Sequence, residues 1–238
     1  PPRSTLFPYT TLFRSVMNAD FLPVRQSTPN AVVGSFFALH FGTYGGTPVQ
    51  WIYFILGVAG AWLFYGGNLL WVETRRIKAA REGEAAGIQP EQRRDVRGMA
   101  AATVGVCLGA VCGISLTIVA AKWLHGRVDD LDAWHQILYY AVFFGAIAWA
   151  FRVGAARSAV HLLWLAAALT FAIPATSLLA WLLPSLGMWA HGSAATLGVD
   201  ATALAGGLGF VWMARATRQR VLNGPADSVW SARCNKSV

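Results

Sequence analysis

The strongest constraint on this chain is an alternation: long apolar runs separated by short connectors that hold most of the charge. Five such runs lie at about 49–72, 99–124, 134–153, 160–183 and 194–214. A helix rises about 1.5 Å per residue, so roughly 20 residues cross a hydrocarbon core of about 30 Å. Lipid offers no hydrogen bonds to an open backbone, so a run of this kind must close its own as a helix. The chain is 55% hydrophobic and 13% charged, whereas a soluble domain carries about a quarter charged residues. The expectation is an all-α membrane protein, a bundle of about five transmembrane helices spanning 49–220 with a tail at 221–238, and the lipid bilayer as its main partner.

The connectors give the sidedness. The net charge is +8, but its placement speaks against nucleic acid as a partner. Between the first two runs lie Arg75, Arg76, Lys78, Arg81, Arg93, Arg94 and Arg97. The second connector has only Lys122 and Arg127, beside Asp129, Asp130 and Asp132. The third has Arg152 and Arg157, the fourth (184–193) has no Lys or Arg, and the tail has Arg215, Arg218, Arg220, Arg233 and Lys236. Basic and non-basic connectors alternate at every turn, so the positive-inside rule puts the C-terminus in the cytoplasm and residues 16–48 outside. Trp51, Tyr53, Trp71, Trp123, Trp134, Tyr139, Trp189 and Trp212 bracket the runs, where amphipathic rings suit the headgroup level. In the first connector, Gly83, Gly87 and Pro90 are expected to break a solvated extension of the first helix.

Within the second run, Gly105, Gly109 and Gly113 recur on one helix face, a seam on which another helix can approach closely. Pro174 in the fourth run removes a backbone donor and predicts a kink. Cys107 and Cys112 point to different faces, and Cys234 sits in the tail, so no disulfide or zinc framework follows. The chain has no phosphate loop, no dinucleotide fingerprint and no HExxH.

Five histidines are the informative side chains. His40, His125, His135 and His191 fall on the outer side and His161 at the cytoplasmic entry of the fourth run. Imidazole is a good axial ligand for haem iron, and two from different helices at one depth can share a haem. His40 and His135 are the best outer pair, with interfacial imidazoles bonded to water or carbonyls as the bland alternative. Asp200 lies inside the fifth run, where a carboxylate needs a partner such as His191 or a hydroxyl; it is a candidate proton or cation site. Asp129, Asp130 and Asp132 read as a turn and helix cap before Trp134 more readily than as a hard-cation site.

At His40 the chain reads Leu39-His40-Phe41-Gly42-Thr43-Tyr44-Gly45-Gly46-Thr47-Pro48, and the following run ends in Trp71 with Glu73-Thr74-Arg75-Arg76 beyond it. This resembles the PepSY-associated transmembrane family, whose members carry an LHxGxxGGxP-type segment before such a helix. The resemblance covers roughly residues 35–80. It implies the bacterial inner membrane, an upstream helix and an extracytoplasmic PepSY domain, with residues 16–48 as the remnant of that domain and its linker. Several members are tied to iron uptake, and some resemble haem-containing ferric-siderophore reductases. What it implies here is haem b as cofactor, with His40 as the first ligand, and ferri-siderophore as a substrate partner; His135 and His161 join as further candidate ligands from their placement at helix ends alone. The alternative is a non-enzymatic anchor presenting a PepSY domain to an envelope partner or peptidase. A third reading, transport, rests on Asp200 and Pro174.

Residues 1–15 stand apart. The stretch Thr5–Ser15 reads TLFPYTTLFRS, which resembles the translation of a sequencing-adapter oligonucleotide. The authentic protein is expected to begin near Val16 as the C-terminal part of a longer chain.

Overall fold

The computed structural model describes residues 27–42, 46–86, 94–224 and 228–231. The adapter-like stretch 1–15 lies outside them, as do Gly87, Pro90 and Cys234. Every regular element among the described residues is helical: α1 (Thr28–Phe41), α2 (Gly46–Ala86), α3 (Arg94–Leu124), α4 (Leu131–Val153), α5 (Ala155–Leu182), a 3₁₀ turn (Pro184–Leu186) and α6 (Ala194–Asn223). Five of them, α2 to α6, are long and apolar enough to cross a membrane, which agrees with the count of apolar runs. The chain falls into two units, Pro1–Phe64 and Tyr65–Val238, and α2 runs through both.

In the first unit, α1 occupies part of the stretch expected as domain remnant and linker, of which residues 16–26 and 43–45 lie outside the described residues. Ser27 precedes it, Pro29 stands in its first turn, and Gly42 ends it at φ +60, a left-handed cap that glycine adopts without strain. A Cβ on Gly42 would lie 3.2 Å from the Tyr53 ring. The start of α2 bears large apolar side chains outward, with Trp62 75% and Phe64 81% exposed.

The helices of the second unit are longer than the apolar runs at several ends, because polar residues extend them past the hydrocarbon. α2 continues through Gly83, supported by the Arg76–Glu73 and Lys78–Glu82 ion pairs, so that glycine does not break it. α5 begins at Ala155 because Gly154, at φ +84, makes the whole turn from α4 alone; its N–H closes α4 on Ala150 and its carbonyl receives Ser158. α4 starts at Asp130, whose carboxylate accepts the Ala133 N–H, so this acidic run is a helix cap. α6 opens with a reciprocal Ser193–Thr196 capping box.

α3 lies between α4 and α5, and α5 between α3 and α6. Large side chains face outward, Trp181 and Trp212 among them, and small ones face inward: Ala100, Ala150, Ala166, Ala167 and Ala214 are buried. Lipid is as apolar as leucine, so such helices gain little from hiding greasy side chains and gain most from close contact. The glycine seam is the tightest example. A Cβ on Gly105 would meet Ile147 Cα at 2.8 Å, one on Gly109 the Ala146 Cβ at 2.9 Å, and one on Gly113 the Tyr139 ring at 2.7 Å. The seam is thus filled from within the chain by α4. At the end nearest the basic connector, Val72, Val96, Ala100, Val104, Ala155, Ala159 and Leu162 close an apolar cluster. Val229 joins it, so part of the expected tail folds back on the bundle, held by Ser231 donating to the Gly224 carbonyl.

Candidate functional site

The opposite end of the second unit, where α3 gives way to α4, holds a buried polar cluster drawn from four pieces of chain. Lys122 stands in the last turn of α3. Its position next to Arg127 reads in sequence as a connector cation, but the side chain turns into the bundle and is 1% exposed. Its Nζ donates to the Ile173 carbonyl at 2.5 Å and to Ser177 Oγ at 2.5 Å, and lies 3.7 Å from Asp200 Oδ1.

α5 supplies the oxygens because of its composition between Thr170 and Ser177. Pro174 has no N–H, so the Thr170 carbonyl loses its usual helical donor. Hydroxyls crowd the same stretch: Thr176 donates to Ile173 O, Ser177 Oγ lies 3.2 Å from that same carbonyl oxygen, and Thr170 Oγ1 lies 3.2 Å from Ser115 Oγ on α3. One face of α3, from Cys112 through Ser115 to Lys122, therefore runs alongside α5 in the same direction, with Cys112 Sγ against the Leu162 carbonyl at its far end.

Asp200 reaches the cluster from the second turn of α6, its side chain 12% exposed. Ser177 Oγ donates to its Oδ1 at 2.8 Å. His191 comes from the loop between α5 and α6, with Nδ1 3.0 Å from Asp200 Oδ2 and 3.1 Å from Ser177 Oγ. That loop is strapped down. Trp189 N–H donates to the Lys122 carbonyl at 3.1 Å, and the Arg127 guanidinium donates to the Leu186 carbonyl. The Trp189 indole lies between two imidazoles, its centroid 5.7 Å from that of His125 and 5.7 Å from that of His191.

The proton positions follow from which groups can donate. A carboxylate only accepts, so His191 Nδ1 carries the hydrogen that faces Asp200. The neutral ring then has its lone pair on Nε2, which makes no hydrogen bond among the described residues. The arrangement is not a nucleophilic triad. That mechanism needs serine on one ring nitrogen and aspartate on the other, and here both face Nδ1. It can do two things: hold an ammonium in a nest of oxygens, and exchange a proton between an imidazole and a carboxylate.

The three histidines expected as haem ligands are placed apart. His40 lies exposed in the last turn of α1, in the first unit. In the second, His135 is in the second turn of α4, while His161 on α5 pairs with Trp149 near the other end of α4. The fourteen residues from His135 to Trp149 correspond to roughly 21 Å of helix, so His135 and His161 cannot share one iron. His135 Nε2 is buried and is the single such side-chain atom without a hydrogen bond among the described residues. His161 Nδ1 accepts the Trp149 indole N–H at 3.2 Å. Indole only donates, so the neutral His161 ring carries its hydrogen on Nε2. Among the described residues no group of three or more His, Cys, Asp or Glu is disposed to hold a metal ion.

Sequence reasoning found Asp200 with His191 or a hydroxyl as its partner, and missed Lys122 and Ser177. A signal existed: Ser115 and Lys122 are seven apart, as are Thr170 and Ser177, two helical turns that put each pair on one stripe.

Fold and site together define a polytopic, all-helical membrane protein with a charged cluster inside its bundle. Residues 16–74 match the family model of the PepSY-associated TM region, which covers about a quarter of the chain and includes the His40 motif and the apolar part of α2. No curated protein and no solved structure matches the chain.

Proposed function

We propose that this protein is the membrane part of a PepSY-associated protein of the bacterial inner membrane, and that it carries electrons outward through haem b to ferric iron or a ferri-siderophore. The observation that supports this reading is His135 Nε2. A buried imidazole nitrogen without a hydrogen bond costs free energy unless something else takes its lone pair. A haem iron is such a partner, and bound haem would supply one-electron chemistry. His135 fits as a ligand, and His40 is the motif histidine within the matched segment. His161 fits poorly, because the Trp149 indole occupies Nδ1 and leaves Nε2 protonated. The alternation of basic connectors favours a cytoplasmic C-terminus, which puts the α3–α4 end and His135 on the outer side.

A pyridine haemochrome assay on protein purified from haem-replete cells tests this. The expected result is a b-type spectrum, with haem content lost in His135→Ala and retained in His161→Ala. Protein without a Soret band would remove the reading. It would leave the competing one, a non-enzymatic anchor that presents a PepSY domain, which the separation of His135 from His161 along α4 favours.

A further inference from the structure

The geometry points to a proton-binding site at Asp200, loaded from the aqueous phase through His191 and held against the Lys122 ammonium. It stands whether or not haem is bound, since none of the candidate haem ligands takes part.

Three observations carry it. First, the cluster is more than an ion pair. An ammonium and a carboxylate taken out of water are costly, and a structural pair is satisfied by hydroxyls and carbonyls alone. Here Ile173 and Ser177 accept from Lys122 and Ser177 donates to Asp200 Oδ1, so the other carboxylate oxygen, Oδ2, is met by His191. His191 thus sets a titratable ring against the carboxylate.

Second, His191 has two distinct edges. Nδ1 faces Asp200, while Nε2 is bonded to nothing among the described residues. It is also not a sealed atom, because the single buried unpartnered side-chain nitrogen or oxygen is His135 Nε2. An imidazole with one nitrogen on an acid and the other open passes protons without rotating. A proton bonds to Nε2, and the Nδ1–H bond breaks as that hydrogen bonds to Asp200 Oδ2. The ring is neutral again with its hydrogen on Nε2, and the carboxylate has become a carboxylic acid. One proton has moved from water to Asp200. Lys122 has lost its counter-ion while keeping the Ile173 carbonyl and the Ser177 hydroxyl.

Third, the surroundings suit a shuttle. Lys122 from α3 and His191 from the loop are the titratable groups that touch Asp200, and α5 faces it with Ser177. His125 stands beyond Trp189, and Arg127 ties the loop through Leu186 without reaching the carboxylate. The loop carrying His191 is fixed at Lys122 O and Leu186 O, so the imidazole is held in register with the acid.

The test is infrared difference spectroscopy of the full chain reconstituted in lipid, with a pH jump. Acidification should raise the C=O stretch of a protonated carboxylic acid in the wild type. The band should be missing from Asp200→Asn and from Lys122→Met/Asp200→Asn, the latter keeping the interior neutral should the single variant fail to assemble. In His191→Gln the band should still form, but its rise should slow by about a hundredfold or more, the usual contribution of a positioned proton-transfer group. Free imidazole added to His191→Gly should restore the rate. A wild type with no such band, or a band that survives both Asp200 variants, would overturn the site. A His191→Gln rise as fast as wild type would overturn the route.

Discussion

Helix α3 presents two faces that are held by opposite means. Toward α4 it offers Gly105, Gly109 and Gly113, and the backbones come so close that a single methyl group has no room. Toward α5, about a third of the way round the helix, it offers Cys112, Ser115 and Lys122, which meet carbonyls, hydroxyls and a carboxylate. The first face gains from dispersion at short range and holds no charge. The second buries an ammonium and a carboxylate, where each lowers the cost of holding the other. A bundle in lipid lacks the hydrophobic drive of a soluble core, and these are two different substitutes for it: contact, and paired polarity.

The polar face should be the more fragile. Asp200→Asn leaves the Lys122 ammonium without its counter-ion, and Lys122→Met strands the Asp200 carboxylate. Each is expected to cost about 3–5 kcal/mol, the range for breaking a buried pair on one side. The double variant should recover most of that loss, because neutral residues of similar volume make no such demand. Denaturant unfolding in detergent, run as a double-mutant cycle, gives both numbers. If the two single losses simply add, the pair is not coupled and the contrast between the faces fails. On the dry face, Gly105→Ala forces a methyl group against the Ile147 backbone at 2.8 Å, and overpacking of this kind costs about 1–3 kcal/mol. Gly98→Ala on the same helix meets nothing within 4 Å and should instead stabilise, by up to about 1 kcal/mol. Opposite signs from the same substitution would show that the seam, not helix propensity, is what the glycines serve.

The two faces also differed in how readily they could be read from the chain. Glycines four apart inside an apolar run admit few explanations, so the seam was visible from Gly105, Gly109 and Gly113 alone, though not that α4 would fill it. The span count was equally plain, because lipid imposes a length on each helix. Lys122 misleads for a physical reason. A cation two residues from a helix end usually reaches water by extending its flexible stem, and only the oxygens of Ile173, Ser177 and Asp200, fifty to eighty residues away, turn it inward. Ser177 is one serine among many until Asp200 stands opposite. The α1 helix lies where the chain reads as domain remnant and linker, and Pro29 falls in its first turn, where proline is tolerated.

Between the extremes lies Ser177, whose hydroxyl donates to Asp200 and accepts from Lys122. Ser177→Ala keeps both charges and removes only the bridge, so its cost should fall near that of one lost hydrogen bond to a charged group, about 1.5–3 kcal/mol. Ser115→Ala, which breaks a neutral contact with Thr170 on the same stripe, should cost less, about 1 kcal/mol. The smallest effect belongs outside the bundle: Lys78→Ala removes an exposed pair with Glu82, and such pairs on a helix surface contribute about 0.3–0.5 kcal/mol at most. The order Ser177, Ser115, Lys78 follows how far each contact lies from charge in a dry interior, and thermal unfolding of the three variants in one detergent reads it directly. Should Ser177→Ala cost no more than Ser115→Ala, water has entered the cluster and is carrying the bridge, and the polar face of α3 is less dry than its burial implies.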